Sequence, residues 1–187
     1  MIYRLYASLA TLRSALVWTL LAAMLFISLI QIMRALPPSA PSVVALQLAF
    51  TPSRMEAVLN AWGASGRQAY LLSLAPDFFY PLAYACALGA WIALLSAIPG
   101  RAPSFWVLFL FMLPFMAAAM DYVENFLHLW MLALTDSLSP SLIFLASLAA
   151  AIKWGLAGIS LLSLPPLFLR WWIIGRVSAR KQQNAGV

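Results

Sequence analysis

Acidic residues are scarce in this chain: five Asp and Glu stand against 11 Lys and Arg in 187 residues, with one histidine and one cysteine. Charged residues of both signs make up 9%, where a soluble domain carries about 25%. So little charge cannot cover a water-exposed surface. The lone cysteine, Cys86, cannot close an internal disulfide, and no CxxC or Cys/His zinc spacing surrounds it. Within an apolar run it reads as a small packing residue. A single histidine excludes haem-type histidine pairs and the HExxH zinc motif. Gly-rich phosphate loops and serine or cysteine nucleophile motifs are also missing.

What is abundant is hydrocarbon. Hydrophobic residues make up 65% of the chain, in runs of about 20 or more, the length that crosses a bilayer core of roughly 30 Å. The expected fold is all-α: one polytopic domain over 1–181, a four-helix transmembrane bundle with spans at about 12–33, 68–98, 104–134 and 141–163. The first span has a basic start, but its apolar core is longer than a signal-peptide h-region of about 7–15 residues, so it reads as a retained anchor.

The loop 34–67 contains a short amphipathic helix. Thr51 can cap it with Pro52 at its first position, and Ser53 with Glu56 offers a second capping arrangement. Met55, Val58, Leu59 and Trp62 then recur at helical spacing, and Gly63 or Gly66 can end it. Such a helix would lie on the bilayer surface or close over a cavity. Short turns follow at "IPGRAPS" and "TDSLSPS", the latter with Ser139 before Pro140. Beyond Pro165–Pro166 the sequence suggests an interfacial helix at 167–180, with Trp171 and Trp172 at headgroup level, and a disordered tail at 182–187.

The net charge of +6 is not a nucleic-acid signature, because Arg4, Arg13, Arg170, Arg176, Arg180 and Lys181 flank the spans. Their placement puts both termini on the cytoplasmic side of an inner (plasma) membrane of bacterial type. Arg34, Arg54 and Arg67 in the long first loop run against that pattern. Membrane lipids are the expected partners, with a homodimer or a membrane-protein partner left open. No internal repeat marks an inverted-repeat transporter.

The question in the sequence is "MDYVENFLHLW", residues 120–130. Asp121, Glu124, Asn125 and His128 fall on one face of the third span. At 1.5 Å per residue, Asp77 lies about 13 Å along the second span, Lys153 about 18 Å along the fourth, and Glu124 about 15 Å from the outer end of the third. Three helices therefore bring ionisable groups to similar depth. Lys153, costly alone in lipid at roughly 2.5–3.5 kcal/mol, should turn inward to an acid, and the acids outnumber it. Tyr70, Tyr80 and Tyr84 can add hydroxyls. Pro81 frees the carbonyl of Asp77 and Pro76 that of Leu72, as in backbone that lines a cavity.

The residues leave several readings open. In one, the cluster binds or processes a lipid-like amphiphile. Asp121 or Glu124 then acts as general acid or base helped by His128, and Asp77, Asn125, Lys153, Tyr80 and Tyr84 form the binding wall. In a second, an accessory membrane subunit uses the same groups only to fix helix packing. In a third, a dimeric transporter couples to protons or ions. A divalent metal on Glu124, His128, Asp121 and Asp77 is a further arrangement. The overall plan is similar to that of the sterol-isomerase and sigma-2-receptor group, which has four helices, termini inside and acids around an amphiphile cavity. That group places an important acid on its first span, and this first span has none, so none of its residues or activities carries over.

Overall fold

The computed structural model describes residues 1–98, 101–134 and 138–185, the last stretch as backbone only beyond 176. All regular structure among these residues is helical: α1 (Ile2–Leu9), α2 (Leu12–Met33), α3 (Val43–Gln47), α4 (Pro52–Asp77), α5 (Tyr80–Ser96), α6 (Phe105–Leu129), α7 (Pro140–Leu162) and α8 (Leu164–Ala185). Three helical stretches are long and apolar enough to cross a membrane: Leu12–Met33, Phe105–Ala133 and Pro140–Ile174. The bent pair α4–α5 makes a fourth if it counts as one span. These helices make the chain a membrane protein.

Local chemistry explains the boundaries. Thr11 opens α2 by accepting from Ser14 N at 3.1 Å, and Thr51, followed by Pro52, opens α4 by accepting from Arg54 N. In α2 only Ala15 is buried, while Trp18, Ala22, Leu25 and Leu29 on the same face are partly buried and the rest of its apolar surface faces outward. The helix expected in the first loop is present, and Gly63 ends its regular geometry with φ 65°, a conformation that a side chain resists. The chain does not loop there. A second helical stretch follows at once and runs to Asp77, so the amphipathic helix and the start of the expected second span form one kinked element.

That second span is not the continuous 68–98 helix the sequence suggests. It breaks at residues 78–79, and the two halves meet at a bend of 47°. Pro76 lies in the last turn of α4 and Pro81 in the first turn of α5, so the ladder cannot pass through unbroken. The freed carbonyls are satisfied from α6: Asn125 Nδ2 donates to Asp77 O at 3.2 Å, and Tyr122 Oη donates to Phe78 O at 2.9 Å. Two elements went unforeseen, α1 and α3. Tyr6 ties α1 to α5 by donating to Ala93 O at 3.1 Å.

Two apolar clusters hold opposite ends of α6. One joins α3 and the amphipathic half of α4 to Met131, Ile143 and Ala146. There Met55, Leu59 and Trp62 are buried almost completely, each stabilising by roughly 1.5–3 kcal/mol relative to water. Trp62 Nε1 donates to Pro41 O at 2.7 Å. The apolar face of this helix thus rests on protein. The other cluster packs Tyr6 and Leu9 of α1 against Ala90, Ile92, Leu108 and Phe111. Small residues of α5 allow close approach, and a Cβ on Gly89 would come within 2.9 Å of the Phe115 ring.

At the C-terminal end the break is also displaced. Pro165 and Pro166 sit in the first turn of α8, where their missing N–H groups cost little, and α8 follows α7 across Ser163 alone. Pro140–Ile174 runs as one apolar stretch of 35 residues, in place of a span ending at 163 and a separate helix beginning at 167. The backbone stays helical through Ala185, where a disordered tail from 182 was expected. The turn residues 99–100 and 135–137, the side chains of Arg180 and Lys181, and residues 186–187 lie outside the described part.

Candidate functional site

Lys153 is the centre of the polar residues. Its position on α7, beside Ala149 and Ala150, leaves space for the ammonium to reach α6. Nζ lies 3.1 Å from Asp121 Oδ1 in a hydrogen bond. Glu124 Oε2 approaches at 2.6 Å as an ion pair outside hydrogen-bond geometry. Asp121 and Glu124 stand three residues apart on α6, so one ammonium on the facing helix meets both. Asp121, Glu124 and Lys153 are all buried. A buried ammonium with two carboxylates tolerates its desolvation only because the geometry is close.

The next turn of α6 carries Asn125 and His128, also buried. Asn125 spends its amide on the broken backbone at Asp77, while its Oδ1 has no hydrogen-bond partner among the described residues. His128 Nδ1 lies 2.6 Å from Tyr70 Oη of α4 and 3.9 Å from Glu124 Oε1, too far for a hydrogen bond to the acid. Glu124 Oε1 is likewise without a hydrogen-bond partner among the described residues. The structure therefore brings Asp121, Glu124, Asn125, His128, Lys153 and Tyr70 together, with Asp77 joined to them through its backbone.

A cavity of about 700 Å³ adjoins this group, within the range of small-molecule sites, about 300–1,000 Å³. Its walls come from α2 on one side and α7 on the other, which face each other across it without packing as a helix pair. Residues Thr19 to Met33 of α2 line it, a length of about 21 Å at 1.5 Å per residue. Polar groups gather toward the α3 end: Gln47, Tyr70, Ser73, Asp77, Asp121 and Lys153. Ala22, Leu88, Trp91, Leu161 and Leu164 make the opposite end apolar. Tyr80 and Tyr84 stand between, with ring centroids 5.2 Å apart, and Phe26 stacks on Tyr80 at 5.9 Å. The buried Tyr84 hydroxyl lies beside the Asp121 carboxylate.

The cavity divides the sequence candidates. Asp77, Asp121, Lys153, Tyr80 and Tyr84 border it; Glu124, Asn125 and His128 do not. Of the three residues expected to do acid–base work, only Asp121 borders it, because the α6 stripe winds away from the cavity as it rises. The metal arrangement also fails to form: among the described residues no three His, Cys, Asp or Glu side chains converge on a metal position. Asp121 and Glu124 close on the Lys153 ammonium instead, so a cation of the chain's own occupies the position.

Gln47 and Trp154 also belong to the site, unforeseen from the sequence. Trp154 Nε1 on α7 donates to Gln47 Oε1 on α3 at 3.2 Å, which ties α3 across the polar end of the cavity. A glutamine inside the apolar run "VVALQLAF" was the available signal. The amphipathic helix, read from the sequence as lying on the bilayer surface or closing over a cavity, does not border the cavity at Met55, Val58, Leu59 or Trp62; Val43, Val44 and Gln47 of α3 do. Phe50, just after it, takes φ 57° and donates its N–H to Ser147 Oγ at 2.9 Å, fixing this corner to α7. No family model, curated protein or solved structure matches the chain.

Proposed function

We propose that the protein is a four-span membrane protein that binds a lipid-like amphiphile in the cavity between α2 and α7. The four spans are α2, the bent α4–α5 pair, α6 with its following turn, and α7 continued into α8. Both termini lie on the cytoplasmic side of a bacterial-type inner membrane. The basic residues at both ends of the chain support that orientation, and so does an even number of spans.

The carrying observation is the two-ended cavity, with Asp77, Asp121, Lys153 and Gln47 toward one end and Leu88, Leu161 and Leu164 toward the other. An aliphatic tail gains contacts at the apolar end, and a polar head finds partners at the other. The cleft walls carry exposed apolar side chains, Phe26 and Ile30 on α2 and Leu161 on α7, which suits entry of an amphiphile sideways from the hydrocarbon. Binding is a better reading than acid–base catalysis, since Glu124 and His128 lie off the cavity.

Gly158 supplies the test. It borders the cavity, and a Cβ built on it meets no atom within 4 Å. Gly158→Phe should fill the cleft without disturbing its helix. Native mass spectrometry of protein released into mild detergent should show a bound lipid-sized mass on the parent protein and its loss in Gly158→Phe. Equal occupancy in both proteins, or none in either, would overturn the reading. A second reading, an accessory subunit whose polar groups only set helix packing, draws support from the complete burial of Glu124, Asn125 and His128 away from the cavity.

A further inference from the structure

We infer that the amphiphile taken by this cavity carries a cationic head, an amine or quaternary ammonium, held by Asp77 and the rings of Tyr80 and Tyr84. This rests on the amphiphile reading above and adds the class of head. The charged residues bordering the cavity are Asp77, Asp121 and Lys153. Lys153 is already met by two carboxylates, Asp121 on the cavity side and Glu124 behind it. Its ammonium is therefore shielded twice over and offers little to an anionic head. Asp77 makes no ion pair among the described residues, and it is the partly exposed acid of the group. The polar end of the cavity thus presents two acids to one lysine, and that lysine is already met by Asp121 and Glu124.

The second observation is independent of charge counting. Phe26, Tyr80 and Tyr84 form a chain of ring contacts along the cavity wall, at 5.9 and 5.2 Å. Asp77 at the end of α4 and Tyr80 and Tyr84 at the start of α5 all border the cavity. An ammonium attracts the negative face of an aromatic ring, and most strongly where water is excluded. The site already shows this pairing internally, with Lys153 Nζ 5.5 Å from the Trp154 ring centroid. A neutral head would use the Tyr84 hydroxyl or Gln47 but would leave Asp77 without a countercharge. An anionic head would meet Asp77 and the outer oxygen of Asp121 in repulsion.

The test compares three twelve-carbon probes that differ only in the head: dodecyltrimethylammonium, dodecanol and dodecanoate. Binding to the full chain in non-ionic detergent is read by displacement of the co-purified lipid and by the shift in unfolding temperature. The parent protein should bind the ammonium probe most tightly. Asp77→Asn, an isosteric change, should weaken that probe roughly tenfold or more, a loss well beyond the one dodecanol shows. Gly158→Phe should abolish binding of all three probes.

Equal binding of the ammonium and the alcohol, both lost in Gly158→Phe, would overturn the cationic head while leaving the amphiphile site intact. So would tighter binding of dodecanoate, or an Asp77→Asn protein that binds the ammonium as before. Binding that Gly158→Phe leaves untouched, or no binding of any probe, would overturn both readings together.

Discussion

Two layers of the same polar group differ in what they face. Glu124, Asn125 and His128 are sealed between helices and look onto protein alone, whereas Asp77, Tyr80 and Tyr84 look into open space. Lys153 and Asp121 stand at the boundary and belong to both. The sealed layer has the economy of a structural device: one ammonium between two acids, an amide on a broken backbone, a phenol on an imidazole. The open layer has a different character: Asp77 makes no ion pair among the described residues and borders the cavity, whereas the unpartnered oxygens of the sealed layer, on Glu124 and Asn125, face protein alone. Buried polar groups stay paired because leaving them unpaired is costly. A polar group facing a cavity without a partner is therefore the more informative of the two.

Substitutions across the boundary should separate the layers. The largest effect belongs to Lys153→Met, which strands two buried acids and should destabilise by about 3–5 kcal/mol in reversible unfolding from mixed micelles. Glu124→Gln, in the sealed layer, should cost about 2 kcal/mol by removing one charged partner of the ammonium, and should leave probe binding within error. Tyr70→Phe should cost about 1 kcal/mol through loss of the His128 contact. Trp154→Phe removes the tie to Gln47 and should have little effect on global unfolding. It should instead raise amide exchange in α3 and speed ligand release. Asp77→Asn should move stability least, within about 0.5 kcal/mol, because it keeps the backbone carbonyl that accepts from Asn125 and replaces the carboxylate by a group of the same shape. A stability loss in Asp77→Asn equal to that of Glu124→Gln would erase the distinction between the layers.

Several features were legible before any tertiary information. Span 1 is a long apolar run between Thr11 and Arg34, and α2 occupies 12–33 as expected. The amphipathic spacing of Met55, Val58, Leu59 and Trp62 marked a face that is indeed buried. Lys153 had to find an acid, and the carbonyl released by Pro81 is the one that Asn125 takes up. Other features had no local signal. Residues 64–77 and Tyr80–Ser96 each read as helix, but the angle between them depends on side chains of α6 far along the chain. The prolines at 165 and 166 signal a break or a first turn equally well, and only packing of Leu164 and Leu167 near α5 selects the second.

By itself the sequence determined the solvent, the all-helical character and the inward turn of the polar residues. Each follows from the cost of placing charge or bare backbone in hydrocarbon, and that cost is local. Only the tertiary structure decided which face of the α6 stripe meets open space. The stripe winds around its helix, so its four polar residues point in a narrow fan rather than one direction. Whether a member of that fan meets Lys153, Tyr70 or the cavity depends on where α4 and α7 lie against it. That arrangement is set by the 47° bend, the small residues of α5 and the closure of α3 over the cleft, none of which any single segment specifies.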